Sequence, residues 1–158
     1  MRPIRAAALT TLGGFLGLIA AAAIAKRAVP SRGDEESDEL ALAAILDGIE
    51  LKSRARAFRG GSVLAWFGGV DLDLSEATLA ADARLSVHAL FGGVSIRVPA
   101  GWRLDSSLKA LAGGADVRAA ETESPDAPTL TLDGFAVFGG VAVGTRLPND
   151  DDEEQPAT

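Results

Sequence analysis

A repeated Gly-Gly motif, usually preceded by Phe, constrains the fold of this 158-residue chain more than any other feature. Together with its flanking residues it occurs four times, in segments 65–74, 89–98, 110–117 and 136–143, and the copy at 110–117 is degenerate. Counted from the first glycine of each pair, the copies are 24, 21 and 26 residues apart. Such self-similarity is typical of stacked repeats, in which each unit buries its apolar side only against its neighbours. The predicted repeat residues are Phe67, Gly68, Gly69, Phe91, Gly92, Gly93, Gly113, Gly114, Phe138, Gly139 and Gly140.

Apolar and polar residues alternate on both sides of the glycine pairs. After the first pair, Val70, Leu72 and Leu74 alternate with Asp71 and Asp73, which is the period of a strand with one buried face. The apolar parity changes across the glycines, so we expect them to form a bend or bulge with positive φ. The sequence therefore predicts an all-β fold, a single-stranded β-helix or solenoid whose units each contain a strand, a Gly-Gly corner, a strand and a loop. The predicted loops are 75–82, 99–101 and 124–128.

Stacking of such units places equivalent side chains in columns. The two expected columns are Phe67, Phe91 and Phe138, and Val70, Val94 and Val141, with Ala112 and Ala115 in the degenerate copy. We expect both columns to be buried, so that replacing Phe91 with Ala costs roughly 3–5 kcal/mol. A large residue near the degenerate copy, such as Trp102 or Leu104, is expected to offset its small side chains.

These Phe-Gly-Gly-Val units, together with the sequence Arg-Val-Pro-Ala-Gly-Trp-Arg-Leu at 97–104, resemble the C-terminal domain of the LiaF family, the cell wall-active antibiotics response proteins. The resemblance covers residues 47–147. It implies a single-stranded β-solenoid, distantly like bactofilins, and a membrane-associated regulator of cell-envelope stress signalling in bacteria. In that family LiaF restrains a sensor kinase. The chain differs from the family's namesake in having one apolar span instead of several.

An uncharged, apolar stretch at residues 6–25 is flanked by cationic residues. As a helix it would be about 30 Å long, enough to cross a bilayer. We therefore expect a single-pass anchor at 6–27 that holds the protein at the cell membrane. A cleaved secretory signal is the alternative, because residues 23–25 have the small-x-small form that precedes cleavage. Counting the flanking positive charges scarcely separates the two orientations, and narrowly favours a cytoplasmic β domain.

The rest of the chain divides by charge and periodicity. The expected segments are a basic N-terminus at 1–5, an acidic linker at 28–39, the β-repeat domain at 40–148 and a disordered acidic tail at 149–158. At the start of the domain a short helix is expected, capped by Ser37, ended near Gly48 and covering one end of the repeats. Little net charge remains between the two acidic runs, so nucleic acid is not an expected partner.

The residues that usually carry catalysis are sparse in this chain. His88 is the only histidine and there is no cysteine, so neither a metal site nor a nucleophile pair is indicated. Asp71 and Asp73 share a strand face, but the other copies do not repeat them, which favours a solvated surface over acid–base chemistry. No Gly-Gly pair is followed by the Lys-Ser/Thr of a phosphate-binding loop. We therefore expect no enzyme activity, no cofactor and no metal.

Two features are candidate interaction sites. Lys52, Arg54 and Arg56 are expected to form a cationic stripe on one strand face, as a salt-bridged surface or as a patch for an acidic partner such as the chain's own tail or anionic lipid. Trp66 would be an anchor for a partner if it points outward, and a core residue if it points inward.

These observations favour a membrane-anchored, non-enzymatic interaction module that regulates envelope-stress signalling and binds a membrane or signalling protein such as a sensor kinase. A bactofilin-like scaffold that stacks end to end is the alternative. A secreted, processed domain is a third hypothesis. Self-association through Gly13 and Gly17 of the apolar stretch remains open.

Overall fold

The computed structural model describes residues 17, 18, 20, 21, 23–25, 27–118 and 124–145. The expected basic N-terminus, most of the expected anchor and the acidic tail lie outside the described residues. Those described between 17 and 28 are helical. Within the described part of the chain, no helix has both the length and the apolar character needed to span a bilayer.

Within the described residues the domain has ten β-strands, in five pairs. The strands are β1 (Glu39–Ile45), β2 (Gly48–Lys52), β3 (Phe58–Trp66), β4 (Gly69–Asp73), β5 (Leu79–Leu90), β6 (Gly93–Arg97), β7 (Arg103–Leu111), β8 (Gly114–Arg118), β9 (Thr129–Val137) and β10 (Gly140–Gly144). Each pair, from β1–β2 to β9–β10, is one repeat unit, numbered 1 to 5 in chain order. The odd-numbered strands form one five-stranded sheet, the first sheet, and the even-numbered strands form another, the second sheet. Both are parallel throughout, which confirms the all-β expectation and is compatible with a β-solenoid.

The core lies between the two sheets and follows the sequence alternation. Val70 and Leu72 of β4 are 1% exposed, whereas Asp71 between them is exposed. The valine column is confirmed, since Val70 pairs with Val94 and Val94 with Val141, and all three are buried. Trp102 also belongs to the core cluster, at 5% exposure.

The corner between the two strands of a unit differs from the prediction. The residue with positive φ is the one before the glycines, for example Phe67 at 54° and Phe91 at 51°. Because this residue takes the left-handed conformation, its side chain turns away from the core. The phenylalanines do form a column, but Phe91 is 40% and Phe138 60% exposed. The prediction that this column is buried is therefore wrong.

The first glycine of each pair is required by close packing between units. A Cβ built on Gly92 would lie 2.2 Å from the carbonyl oxygen of Gly68 in the preceding unit. On Gly139 it would lie 2.1 Å from the Gly92 carbonyl oxygen, and on Gly68 2.1 Å from that of Asp47. No side chain fits at such distances, so the corner can stack only if this position is glycine.

The units do not stack in chain order. The spatial order is 1, 2, 3, 5, 4, because β9 lies between β5 and β7, and β10 lies between β6 and β8. Unit 5 supplies fully buried residues such as Leu130 and Leu132, whereas β7 of unit 4 is mostly exposed. An inner position buries both sides of a unit and an end position buries one, so the more apolar unit gains more from the inner place. The degenerate copy is therefore the end of the stack.

The expected short helix after Ser37 is absent, because residues 39–45 form β1. β1 and β2 are a further repeat unit, in which Leu46, Asp47 and Gly48 occupy the places of Phe67, Gly68 and Gly69. The sequence pattern concealed this copy because aspartate replaces the first glycine. Within the described residues, no unit lies beyond unit 1, so no carbonyl oxygen crowds a Cβ at Asp47. The prediction of a helix was wrong because an Ala/Leu-rich alternating segment satisfies both periods.

The segment expected as a solvated linker folds against the domain. Arg32 and Ala41 form an antiparallel bridge at the edge of β1, with N···O distances of 2.7 and 2.8 Å. The acidic residues make a turn closed by the Ser37 hydroxyl, which donates to Asp34 Oδ1 at 2.7 Å. Backbone amides of the loop after β2 and of β3 then bond to this segment. The amide of Arg59 in β3 donates to the Asp38 carbonyl at 2.7 Å.

One predicted loop is also corrected. Residues 75–82 were expected to be irregular, but β5 begins at Leu79 and absorbs Asp82 as an irregularity with φ of 57°.

Candidate functional site

The outer side of the first sheet carries two adjacent rows of mainly apolar side chains. They come from strand positions that alternate with core residues and therefore point away from the core. One row consists of Ile45, Trp66, Leu90, Val137 and Leu111, and the other of Ala43, Leu64, His88, Phe135 and Lys109. We call these two rows the apolar face. Leu111 is 70% and Phe135 40% exposed, whereas Ile45 is 1% exposed, so the face is most open to contact at units 5 and 4 and closed at Ile45.

Trp66 lies on the apolar face and not in the core. Val63 and Ala65 of the same strand are buried in the core cluster, whereas Trp66 is half-buried and outside that cluster. Its register partners Ile45 and Leu90 are apolar. This is the outward placement that an anchor for a partner requires.

Beside the apolar face, at the corner, lies a ladder of stacked rings. The ladder positions are Leu46, Phe67, Phe91, Phe138 and Ala112, in the order of the stack. The Phe67 and Phe91 ring centroids are 5.0 Å apart with planes 6° from parallel, and those of Phe91 and Phe138 are 5.1 Å apart at 13°. Parallel strands in register repeat every 4.8 Å or so, which sets this ring spacing. We call these five positions the phenylalanine ladder.

The outer side of the first sheet becomes polar toward the strand beginnings. The Ser86 hydroxyl donates to Asp133 Oδ1 at 2.6 Å, and the Arg84 guanidinium lies 3.9 Å from Asp133 Oδ2. Two residues further along each strand the same outer side is the apolar row of Leu64 and Phe135. The apolar side chains are thus concentrated next to the corner.

His88 is a member of the apolar face. It is in register with Leu64 and Phe135, as the repeat alignment predicts. Its ring packs edge-on against Phe135, with centroids 4.6 Å apart. Across the described ranges, no three His, Cys, Asp or Glu residues come together as metal ligands.

The expected cationic stripe is not on one strand. β2 ends at Lys52, and Arg54 and Arg56 lie in the loop that follows. Lys52 Nζ is 2.7 Å from Glu76 Oε1, and Arg54 Nε is 3.1 Å from Glu76 Oε2. Arg54 Nη1 also lies 3.4 Å from Glu35 Oε2 in the acidic turn. Two of the three cations therefore face carboxylates of this chain, which is the arrangement of a salt-bridged surface.

These contacts perturb the neighbouring carboxyl groups. The hydrogen bond and charge of Lys52, followed by those of Arg54, lower the pKa of Glu76. For Asp73, desolvation alone would raise the pKa, but hydrogen bonds from Ser75 and the charges of Arg97 and Lys52 outweigh it, so the pKa is lowered. Both groups lie at the strand ends far from the phenylalanine ladder. We call the long edge formed by these strand ends and their loops the charged edge.

The N-terminal segment runs along the free side of β1, at the unit 1 end of the stack. Ser31 Oγ accepts a hydrogen bond from the Ala43 amide at 3.0 Å, while Arg32 pairs with Ala41. Because this pairing is antiparallel, residues that precede Ser31 lie toward the end of β1 and hence toward Leu46. The chain immediately before Ser31 therefore leads toward the phenylalanine ladder.

Sequence reasoning found Trp66 but missed the face around it. A signal was present, because the residue two places before the first glycine is apolar in every unit. In the sequence these residues are Ile45, Trp66, Leu90, Leu111 and Val137. Each stands next to an inward Ala or Leu in the chain, so the pattern looks like part of a continuous core run.

No protein-family model, no curated protein and no solved structure matches this chain.

Proposed function

We propose that this protein is a membrane-anchored, non-enzymatic interaction module in the form of a single-stranded β-solenoid. In this role it regulates cell-envelope stress signalling by binding a membrane protein, such as a sensor kinase. The anchor is the apolar stretch at 6–27, and the binding surface is the apolar face. The resemblance to the LiaF family in the Phe-Gly-Gly units supports the signalling role.

The observation that carries this proposal is the apolar face itself. Monomeric domains rarely expose a contiguous set of large apolar side chains unless it binds something. Here Trp66, Leu90, Phe135 and Leu111 extend across neighbouring strands, and Lys109 is the one lysine, arginine or acidic residue among the ten positions of the face. A tryptophan on such a surface is a typical energetic anchor of protein interfaces.

Site-specific crosslinking in native membranes tests the proposal. A photoreactive phenylalanine analogue at Leu90 reports on the apolar face, and the same analogue at Ser95 is the matched control. Both residues belong to unit 3, both are half-buried and both point outward, Ser95 from the second sheet. We expect a covalent adduct with a distinct membrane protein at Leu90 and none at Ser95. Adducts with this chain alone, or equal yields at both sites, would contradict the proposal.

An end-to-end scaffold is the second candidate. The exposed strands β7 and β8 form the outer edge of unit 4, and within the described residues no strand pairs with that edge. At the other end, the bridge between Arg32 and Ala41 covers part of β1. One open end and one covered end favour a dimer over a filament.

Sedimentation of the full chain in detergent separates the two candidates. A scaffold gives assemblies that grow with protein concentration. A monomer or a dimer at all concentrations eliminates the filament.

A further inference from the structure

We infer that the phenylalanine ladder is a lipid-contacting edge, which lies in the headgroup–acyl boundary of the bilayer and holds the repeat stack parallel to the membrane. The inference rests on the proposed membrane anchor. It adds a surface, an orientation and a ligand chemistry, namely phospholipid acyl chains, that the anchor alone does not imply.

The corner between the two strands of each unit carries almost no charge. Four consecutive positions in each unit form the corner, from the last residue of the first strand to the second glycine. In unit 3 these are Leu90, Phe91, Gly92 and Gly93, and across all five units the one charged residue at these positions is Asp47. An edge so poor in charge loses little hydration when it enters the boundary region of a bilayer, where aromatic side chains are favoured.

The large side chains of the phenylalanine ladder are exposed. Phe91 is 40% and Phe138 60% exposed, and Leu46 at the first unit is 40% exposed. Their backbones hold positive φ, which turns these large side chains outward from a core that other residues fill. The five ladder positions extend for about 19 Å, because four intervals of ~4.8 Å separate them. The ladder is therefore a straight apolar line, suited to a flat surface.

The chain enters the domain along β1, in unit 1. Ser31 and Arg32 run antiparallel to β1, so the residues before them lead toward Leu46 at one end of the ladder. If the proposed anchor at 6–25 continues in this direction, the bilayer that holds it is next to the ladder and away from the charged edge. A second copy of this chain, or the protein partner of the apolar face, would explain the exposed rings but not this coincidence.

The same arrangement lets the domain contact the bilayer through the ladder and a protein partner through the apolar face. The apolar face adjoins the ladder along the first sheet, so a stack resting on the ladder presents Trp66 close to the bilayer. A partner that is itself a membrane protein meets the face there. The charged edge, with Glu76 and Arg54, then points into water.

Spin labelling tests the inference, and the absence of cysteine from the chain makes single labels clean. The decisive site is Ala112→Cys, at the end of the ladder most distant from unit 1. The matched control is Asp105→Cys in the same unit, since Asp105 in β7 and Ala112 at the corner after β7 are both exposed. The two sites are roughly 23 Å apart along the strand at ~3.3 Å per residue. Neither substitution removes a core side chain.

The labelled full-length protein is reconstituted into vesicles of phosphatidylethanolamine and phosphatidylglycerol. Collision rates with oxygen, which concentrates in lipid, are compared with those of a water-soluble nickel chelate. At Ala112 we expect oxygen collisions to exceed nickel collisions, and at Asp105 we expect the reverse. Leu46→Cys, at the near end of the ladder, should give the same sign as Ala112 if the stack lies parallel to the bilayer.

Each alternative result overturns the inference in a recognisable way. Nickel collisions in excess at Ala112, with lipid contact at Leu46, mean that only the tether brings the domain near the bilayer. Strong spin–spin broadening at Ala112 means that a second copy covers the ladder. A protein that does not float with the vesicles removes the proposed anchor and the lipid-contacting edge together, whereas the first two results leave the anchor standing.

Discussion

The two long edges of the repeat stack are built from the same ten strands but differ in chemistry. At one edge the chain turns through Phe-Gly-Gly corners, and stacked rings and close backbone contacts hold the units together. At the charged edge it turns through loops, in which Lys52, Arg54 and Glu76 form ion pairs between units. The first edge tolerates no side chain at one position of each inner corner. The charged edge tolerates many different side chains, because its contacts are made by flexible, solvated groups.

This difference shows that a repeat motif can combine two separate demands. The first glycine is demanded by the carbonyl oxygen of the neighbouring unit, as at Gly92. The phenylalanine before it is not demanded by the core, since its side chain points outward. Its recurrence at exposed positions is therefore better explained by the lipid contact inferred for this edge and by the stacking of each ring on the next.

The largest expected effect lies within a single corner. Gly92→Ala should lower the free energy of unfolding by more than about 3 kcal/mol, because the new Cβ meets a backbone oxygen that cannot rotate away. Gly93→Ala is the matched control, since its Cβ would lie 4.0 Å from the nearest atom. Its expected change is within about 1 kcal/mol. Urea unfolding followed by circular dichroism measures both. Equal losses would show that the two glycines are needed for flexibility and not for packing.

The next effect contrasts the core with the ladder. Leu85→Ala should cost about 3 kcal/mol, because Leu85 is fully buried between the sheets. Phe91→Ala should cost about half as much, because its ring is partly exposed and it loses mainly two stacking contacts. The fully buried column expected from the sequence would instead give Phe91→Ala the larger cost. Unfolding of both variants in the same denaturant series decides between these two descriptions.

A smaller effect is expected at the charged edge, and it depends on pH. The folded state lowers the pKa of Glu76, so this carboxylate contributes stability above its unfolded pKa and loses that contribution as pH falls through the folded pKa. Glu76→Gln should therefore be less stable than the parent near pH 7, and the gap should close as pH falls through the lowered pKa of Glu76. Unfolding midpoints measured across this range give the gap. A gap that is unchanged at low pH would rule out the ion pairs as its source.

The smallest effect concerns a single hydrogen bond at the same edge. Ser75→Ala should raise the pKa of Asp73 toward its ordinary value, because the serine hydroxyl no longer bonds the carboxylate. The backbone amide of residue 75, which donates to Asp73 Oδ1 at 2.9 Å, is retained in the variant. Carboxyl chemical shifts titrated by NMR would detect the change. An unaltered pKa would mean that the backbone amide of residue 75 and the charges of Arg97 and Lys52 set it without the hydroxyl.

Much of the fold was accessible from the sequence because local periodicity encodes it. The alternation after each glycine pair predicted the strands of the second sheet, and the valine column at Val70 and Val94 followed from the repeat spacing. The copy at Leu46 was missed, since its aspartate breaks the motif at the one unit where no neighbour crowds the corner. The acidic turn at 34–38 was predicted to be a linker because its contacts with the domain include backbone hydrogen bonds. Any residue type can make such bonds, so the composition of the segment does not reveal them.

The candidate site was only partly visible for a related reason. Trp66 stands out as a rare residue, but the apolar face depends on which side of each strand a residue occupies. Around the corner the chain alternates Leu, Ala, Trp and Phe with little polar interruption, so sidedness cannot be assigned from the pattern alone. The positive φ of Phe67 and Phe91, which decides that the rings point outward, arises from the corner geometry.

By itself the sequence determined the units: their number of strands, the alternation that fills the core and the glycine at each inner corner. These follow from forces within a unit or against one neighbour. Only the tertiary structure decided the order of the stack, with unit 5 inserted between units 3 and 4. It also decided that the phenylalanines face outward. The physical reason is that burial depends on neighbours brought together from distant parts of the chain, and the more apolar unit gains most free energy from an inner place.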